Sequence, residues 1–340
     1  MQIFATMSER SGPVEAAAHA RRVEAMGYDG LLVPEAVHDG LLTSMAALSA
    51  TTTLRVMTSV LVVFPRSPMT TAHAAWDLQE LSGGRFELGL GTQVRGNIVG
   101  RFSTSWTSPV PRMREYVESL KAIFHSFQTG DELAYEGQHY HFNRLQPFFN
   151  PGPLEVPAPR ILLGAVGPEM TRMAGGTADG MISHPTQSAP RILEEITLPR
   201  VAEGAHRRGR RSQDCPVLAA GFILTGPDEA SLAHRREWVR EQFSFLYSTP
   251  AYWPALDQVG FGDVGRALHE LAERNQWPEM KALVGDEMID ALVPQGRYAE
   301  IARILGEDYG SLVAGMTFPV PEDPAEDGQV ADVVAALRGA

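Results

Sequence analysis

Residues 66–93 read RSPMTTAHAAWDLQELSGGRFELGLGTQ, and this stretch holds one complete helix-to-strand unit. Ser67 before Pro68 is an N-cap with proline in the first helical position, where its missing N–H costs nothing. Ala74, Leu78 and Leu81 then recur at helical spacing until Ser82-Gly83-Gly84 ends the helix. Beyond it Phe86, Leu88 and Leu90 alternate with Glu87, Gly89 and Gly91, which predicts a strand, the fourth of the chain.

The same cadence continues on both sides. Upstream, residues 3–6, 28–33 and 54–63 read as strands, and a helix runs from Pro13 to Gly27 with Ala16, Ala20 and Val23 on one face. Downstream, a long helix covers residues 111–127, and residues 161–166 make a fifth strand followed by a helix ending at Gly175-Gly176. A sixth strand spans residues 180–183. A helix over 191–208, interrupted at Pro199, leads to a seventh strand over 217–225. After a helix at 298–305, residues 311–318 supply the eighth. Eight such units predict an α/β fold, a TIM (β/α)8 barrel, as a single domain over residues 1–320. Two insertions break the rhythm: a hairpin near 130–150, its aromatics alternating around Gly137, and a helical insertion near 248–295. Residues 321–340 read as an acidic linker and a final amphipathic helix carrying Val330, Val333, Val334 and Leu337.

The 340 residues include 41 acidic and 29 basic side chains, a formal charge of −12, so an extended phosphate-binding surface is not expected. The single cysteine, Cys215, excludes a disulfide framework and a multi-thiolate metal site. The first residues lack the basic cluster and apolar core of a secretion signal, and no run of about 18 apolar residues occurs. We expect a cytoplasmic protein with a small-molecule substrate and neither nucleic acid nor membrane as partner.

In a parallel barrel the C-terminal strand ends converge on one mouth, so chemistry is sought there. After strand five, GAVGPEM (residues 164–170) places Gly164 and Gly167 before a helix, where free N–H groups and the macrodipole favour an anion such as phosphate. A tight turn needing only small residues is the alternative. Gly89, Gly91 and Gly96 give GxGxxxxG, which is not a dinucleotide fingerprint. Gly89 and Gly91 either clear space for a flat ligand or pack against a neighbouring side chain. Glu35 and His38 after strand two form a candidate general acid–base pair, with His184 after strand six a further candidate. Capping or solvated roles stay open for all three. His139 and His141 lack a third metal ligand, which favours hairpin packing over a metal site. The run HRRGRR (residues 206–211) reads as a solvated turn complementing a helix end. No nucleophile elbow or P-loop is present.

The unit at 66–93, continued by PRMREYVESLKAIF, YEGQHYHF and GPEMTRMAGGTADGMISHP, resembles the luciferase-like monooxygenase superfamily over most of residues 1–225. GLGTQVRG, the MREY helix and STPAYWPAL (residues 248–256) are most similar to its subgroup of coenzyme F420-dependent oxidoreductases. The resemblance implies a deazaflavin or flavin held in the mouth. Thr58, Ser59, Val60, Thr92 and Gln93 would lie about the ring, and Gly164, Ala165, Val166, Gly167, Pro168, Glu169 and Met170 about the phosphate and ribityl chain. It also implies a bulge with a non-prolyl cis peptide at Ser59-Val60, which would bow the ring. In the sugar-phosphate dehydrogenases of that subgroup a histidine directly follows the acidic residue after strand two, a glutamate stands on the strand-four loop and a lysine holds the substrate phosphate. Here these positions fall on Ala36, Val94 and near Gln187, so another substrate is implied.

The implied activity is hydride transfer between F420 and a small organic substrate, with His38, or otherwise His184, as proton partner. The rival reading keeps the barrel but binds FMN, as a monooxygenase using reduced flavin and oxygen; a third is a catalytically silent flavin-binding protein. Family resemblance further implies a homodimer. Residues 243–253, rich in aromatics, would cover an interface or roof the substrate pocket.

Overall fold

The computed structural model describes residues 1–339. Eight parallel strands close a barrel in chain order: β1 Gln2–Thr6, β2 Gly30–Val33, β3 in two pieces (Arg55–Thr58 and Leu61–Val62), β4 Phe86–Gly91, β5 Arg160–Ala165, β6 Gly180–Ser183, β7 Val217–Ala219 and β8 Gly315–Thr317. Closure is made by β8 against β1, with Gln2 opposite Gly315 and Phe4 opposite Thr317. The protein is a TIM barrel, and alternation decides which side chains fill it. Phe4, Leu32, Met57, Leu162, Ile182 and Leu218 pack together as the inner layer, while Ile3, Ala5, Leu31, Val33, Val56, Phe86, Leu88 and Leu90 face the helices. Below the inner layer Glu87 bridges Arg160 (3.0 Å) and Arg55 (3.5 Å), and the Arg55 guanidinium covers the Phe4 ring. The N-terminal end of the barrel is thus plugged, and only the other end is available to a ligand.

Several sequence expectations are corrected. The seventh strand stops at Ala219. Leu224–Gly226 leaves the barrel and pairs in parallel with Gln295–Arg297. Helices Gly40–Ser49, Arg95–Gly100 and Glu229–Tyr247 were not anticipated: the first and last have weakly one-sided sequences, and the second spans a single turn and a half. Pro199 does not break its helix. Leu193–Thr197 is wound as a π turn between Pro190–Ile192 and Leu198–Arg207, which removes the conflict between the proline ring and the carbonyl four residues back. The helix Pro168–Thr177 ends one residue beyond Gly175-Gly176, close to the expected stop, but the glycines lie within its last turn. A Cβ on Gly175 would stand 2.1 Å from the Val201 carbonyl oxygen, and one on Gly204 would stand 1.8 Å from that of Arg172. The glycines exist for the crossing of those two helices.

The hairpin insertion pairs Tyr135–Glu136 with His141–Phe142, its turn held by the Glu115 carboxylate, which accepts the N–H groups of Gln138, His139 and Tyr140. His141 faces Glu136 at 2.9 Å. In the basic run, Arg210 donates to the Gly175 and Ala178 carbonyls at the end of Pro168–Thr177, and Arg207, Arg208 and Arg211 pair with carboxylates. Residues 321–339 pack onto the barrel. Helix Asp327–Gly339 buries Val330, Val333, Val334 and Leu337 in the main core, and Arg22 holds Asp327 at 2.6 Å. Burial of each of those four contributes about 1.5–3 kcal/mol, against about 1 kcal/mol or less for the partly exposed ion pair, so packing decides the docking. The helical insertion builds a second core with Glu229–Tyr247, including Phe243, Tyr247, Leu256, Leu268, Met288 and Ile289, which also takes in Ala189, Ile192 and Ile196. No described helix is long and apolar enough to cross a membrane.

The close crossing gives a direct test. Gly204→Ala should destabilise the fold by about 2–3 kcal/mol through overpacking, whereas Gly96→Ala, whose new Cβ meets nothing within 4 Å, should stay within about 0.5 kcal/mol of the parent. Calorimetric melting of the two variants side by side checks this.

Candidate active site at the barrel mouth

The floor of the mouth is set where β3 is interrupted. Before the break Met57 pairs with Glu87, and after it Leu61 pairs with Leu90, so Thr58, Ser59 and Val60 face only Leu88 and Gly89. The extra residue is a bulge, and the Ser59-Val60 peptide within it is cis. The lost ladder bonds are replaced: the Thr58 hydroxyl donates to the Gly89 carbonyl (2.8 Å) and accepts the Gly89 N–H (2.9 Å), while the Ser59 N–H donates to Val33 (2.7 Å). This close approach answers the glycine question. A Cβ on Gly89 would lie 1.9 Å from the Thr58 oxygen, and Cβ atoms on Gly91 and Gly164 would lie 2.3 and 2.9 Å from the Val60 side chain. Gly89 and Gly91 make room for the bulge itself. Thr58, fully buried, belongs to the wall; Ser59 and Val60 are half-buried, and Val60 packs against the inner layer.

Counting by twos along the inward faces, with the extra residue of the bulge allowed for in β3, places Thr6, Pro34, Val60, Gly91, Gly164, His184, Ala220 and Thr317 at the rim. They are mostly small. Thr6, directly beyond buried Phe4 on the same face, is exposed, Pro34, Val60, Gly164, His184 and Ala220 are half-buried, and Gly91 and Thr317 are buried.

The acid–base candidates fare differently. Glu35 is committed: its carboxylate receives both Arg66 guanidinium nitrogens at 2.6 and 3.0 Å and the Val62 N–H at 2.6 Å, with its side chain 8% exposed. Arg66 also reaches Asp39 (2.8 Å) and the Val62 carbonyl. The expectation of a general acid or base at Glu35 gives way to a positioning role, tying the β2 loop to the strand beyond the bulge. His38 is exposed, its ring lying over Gly12 at the head of the helix Pro13–Ala25. His184 is the histidine the fold aims inward, two residues beyond Ile182. Its Nδ1 accepts from the Thr186 N–H (3.3 Å) and lies 2.9 Å from the Thr186 hydroxyl, and burial lowers its pKa to about 4. At neutral pH it is an uncharged imidazole.

At the β5 turn the half-buried Gly167 is the N-cap of Pro168–Thr177 and offers no side-chain cap. The first-turn N–H groups are therefore left to a ligand or water, and the cradle is open, since a Cβ there would meet nothing within 4 Å. Val166 and Met170 are half-buried beside it, and Pro168 is exposed. Ala165 points outward into the helix layer, and Glu169 turns away to Arg172 (2.7 Å), which also holds Glu203, so no free carboxylate competes at the turn. Across the mouth Thr92 is half-buried. Gln93, at φ 57°, folds its side-chain oxygen onto the Val94 N–H and the Asn97 amide, ordering the short helix after it. Among the described residues no group of three His, Cys, Asp or Glu side chains converges on a metal position.

Two residues at this site carried too little signal to be assigned roles from sequence. Arg66 stands in the quoted stretch, but only the fold reveals its partner. Tyr252, brought over by the helical insertion, stacks on His184 with ring centroids 4.7 Å apart and 14° between planes.

Two measurements follow. Arg66→Met leaves the Glu35 charge buried without its partner and should cost about 3 kcal/mol, much of it regained when Glu35→Gln is added, as read from urea midpoints. For His184, the folded pKa lies below the ordinary 6.5, so the unfolded chain takes up the proton first and stability falls as pH drops from 6.5 toward 4. The loss is of order 3 kcal/mol, and His184→Gln should remove that part of the pH dependence.

The luciferase-like monooxygenase family model matches residues 2–314. An uncharacterized protein of Mycobacterium tuberculosis is 41% identical over 290 residues, 85% of each chain. The F420-dependent glucose-6-phosphate dehydrogenase of Nakamurella multipartita is 30% identical over 247 residues, 69% of this chain and 71% of that one. Among solved structures, the coenzyme F420-dependent tetrahydromethanopterin reductase of Methanopyrus kandleri has a TM-score of 0.78 at 17% identity, covering 99% of this chain and 98% of its own. A long-chain alkane monooxygenase has a TM-score of 0.74 at 13% identity, covering 100% and 91%. At such identities the structural likenesses bear on the fold alone. With the family model matched over nearly its whole length, this chain belongs to the luciferase-like monooxygenase family.

Proposed function

We propose that the protein is an F420-dependent oxidoreductase that moves a hydride between the deazaflavin and a small organic substrate. The observation that carries this reading is the open, uncapped helix N-terminus at Gly167 facing a bowl whose floor is the Ser59-Val60 bulge, in a chain with F420-dependent relatives. An anionic tail and a planar ring fit those two features. Ser59, Val60 and Gly164 would support the ring, and the Gly167 N–H with the first-turn N–H groups of Glu169 and Met170 would hold the phosphate. When bound, the deazaflavin supplies two-electron hydride chemistry. The chain's own part is to orient the ring, to keep stray charge out of the bowl by pairing Glu35 with Arg66, and to hold a proton source at the rim.

Titration of the purified protein with F420 and with FMN tests the reading. F420 should bind and FMN should not; tight FMN binding with negligible F420 affinity would instead make the protein a flavin monooxygenase. Gly167→Asp supplies the missing cap and a negative charge at the proposed phosphate position. It should weaken F420 binding at least about tenfold, ~1.4 kcal/mol, while leaving the melting temperature unchanged or slightly higher.

A further inference from the structure

In the helix layer, outside the rim residues, a cleft of about 300 Å³ opens where the second core meets the barrel. Arg172 of the helix Pro168–Thr177 forms one wall, Ile196, Pro199 and Arg200 of the π-turned helix form another, and Gln258 at the end of Trp253–Gln258 closes it from the second core. The charges there are unequally matched. Arg172 binds Glu203 at 2.5 Å and Glu169 at 2.7 Å, Arg207 also binds Glu203, and Glu195 is held by Arg191 at 3.0 Å. Arg200, half-buried, makes neither an ion pair nor a hydrogen bond among the described residues. Burial, with the Arg172 charge added, lowers its pKa, and Glu203 offsets this only in part. Four guanidinium groups therefore face three carboxylates, a local positive excess in a chain whose formal charge is −12. The fold leaves the desolvation cost of Arg200 uncompensated.

We propose that this cleft binds a small monocarboxylate with a short apolar body, and that the ligand, held by Arg200, ties the second core to the barrel. The ligand class follows from the lining. One unmatched positive charge is answered by one negative charge, and the planar guanidinium fork takes a carboxylate through paired hydrogen bonds. A more highly charged anion such as phosphate would face Glu195 and Glu203 with only Arg200 unspent, since Arg172 already serves two carboxylates. Ile196 and Pro199 offer apolar contact to the rest of the ligand. The Gln258 amide, exposed and without a hydrogen bond inside the chain, supplies a further donor. Arg200 stands on one side and Gln258 on the other, so the ligand bridges two units that otherwise meet through the 189–196 segment, one pair of short strands and the Tyr252–His184 stack. Tyr252 directly precedes the helix that ends at Gln258, so the bridge also steadies that ring, whatever occupies the mouth.

Butyrate is the probe, with butyramide as its uncharged isostere and inorganic phosphate as the more highly charged anion, applied to wild type, Arg200→Gln and Arg200→Lys with no cofactor added. Calorimetric titration reports affinity, thermal melting reports stability, and hydrogen exchange follows residues 250–260. Butyrate should bind wild type with a Kd of order 1 mM, and both controls should bind at least about tenfold more weakly. Arg200→Gln should weaken butyrate binding at least about tenfold, and Arg200→Lys, which keeps the charge without the fork, should fall between. Butyrate should raise the melting temperature of wild type but not of Arg200→Gln, and should slow exchange over residues 250–260. Without ligand, Arg200→Gln should melt at the wild-type temperature or higher, because it removes a cation that has no partner. A clear drop instead makes Arg200 a structural residue and overturns the proposal. Absence of butyrate binding, or equal binding by Arg200→Gln, does the same. Tighter binding of phosphate or butyramide overturns the ligand class, and unchanged exchange over residues 250–260 at saturation overturns the tie between the two units.

Discussion

Where Thr58 meets Gly89, the barrel wall runs out of backbone partners and a side-chain hydroxyl takes their place, donating to one main-chain group and accepting from another. In a closed parallel barrel every strand needs two neighbours, and an interruption in one strand would leave buried polar groups unpaired. The substitution lets β3 carry an extra residue without opening the wall. Several features then follow by sterics: no side chain is tolerated at Gly89, where the Thr58 carbonyl stands, none at Gly91, and little room exists at Gly164, both of which face the Val60 side chain. The glycine-rich strand and the bulge are two halves of one arrangement.

Electrostatics above that floor is organised by removal. Glu35 is neutralised by Arg66, Glu169 is drawn off by Arg172, and burial keeps His184 neutral at ordinary pH. What remains at the rim is hydroxyl, imidazole and main chain. Such a surface discriminates by hydrogen-bond geometry rather than net charge. It stands apart from the chain's strongly acidic overall balance, which resides on the outer helices and loops.

The barrel was legible because its signals are local. The N-cap and proline at Ser67-Pro68, the stop at Gly83 in its left-handed conformation and the alternation from Phe86 each depend on a few adjacent residues. The misreadings share the opposite cause. Gly175-Gly176 looked like nothing more than a helix stop, but its reason lies at Gly204 on another helix. Residues 217–225 looked like one strand, but their second half pairs with residues some 70 positions away. Thr58 and Glu35 were legible as strand-end residues with the right chemistry, yet whether such a group meets ligand or scaffold depends on Gly89 and Arg66 across the fold. Tyr252 was in plain view in the sequence, and nothing within about 60 residues of it indicates His184.

The second core gives the molecule a degree of freedom that a plain barrel lacks. Its apolar contacts are made largely among its own helices, and it joins the rest through the 189–196 segment, a pair of three-residue strands and the stack of Tyr252 on His184. Substitutions within it are therefore nearly additive with those in the wall that cradles the bulge. Descent with modification could reshape what stands over the bowl, and so what enters it, while the apparatus beneath stays intact. One ancestral scaffold can in this way diversify its chemistry without first losing its stability.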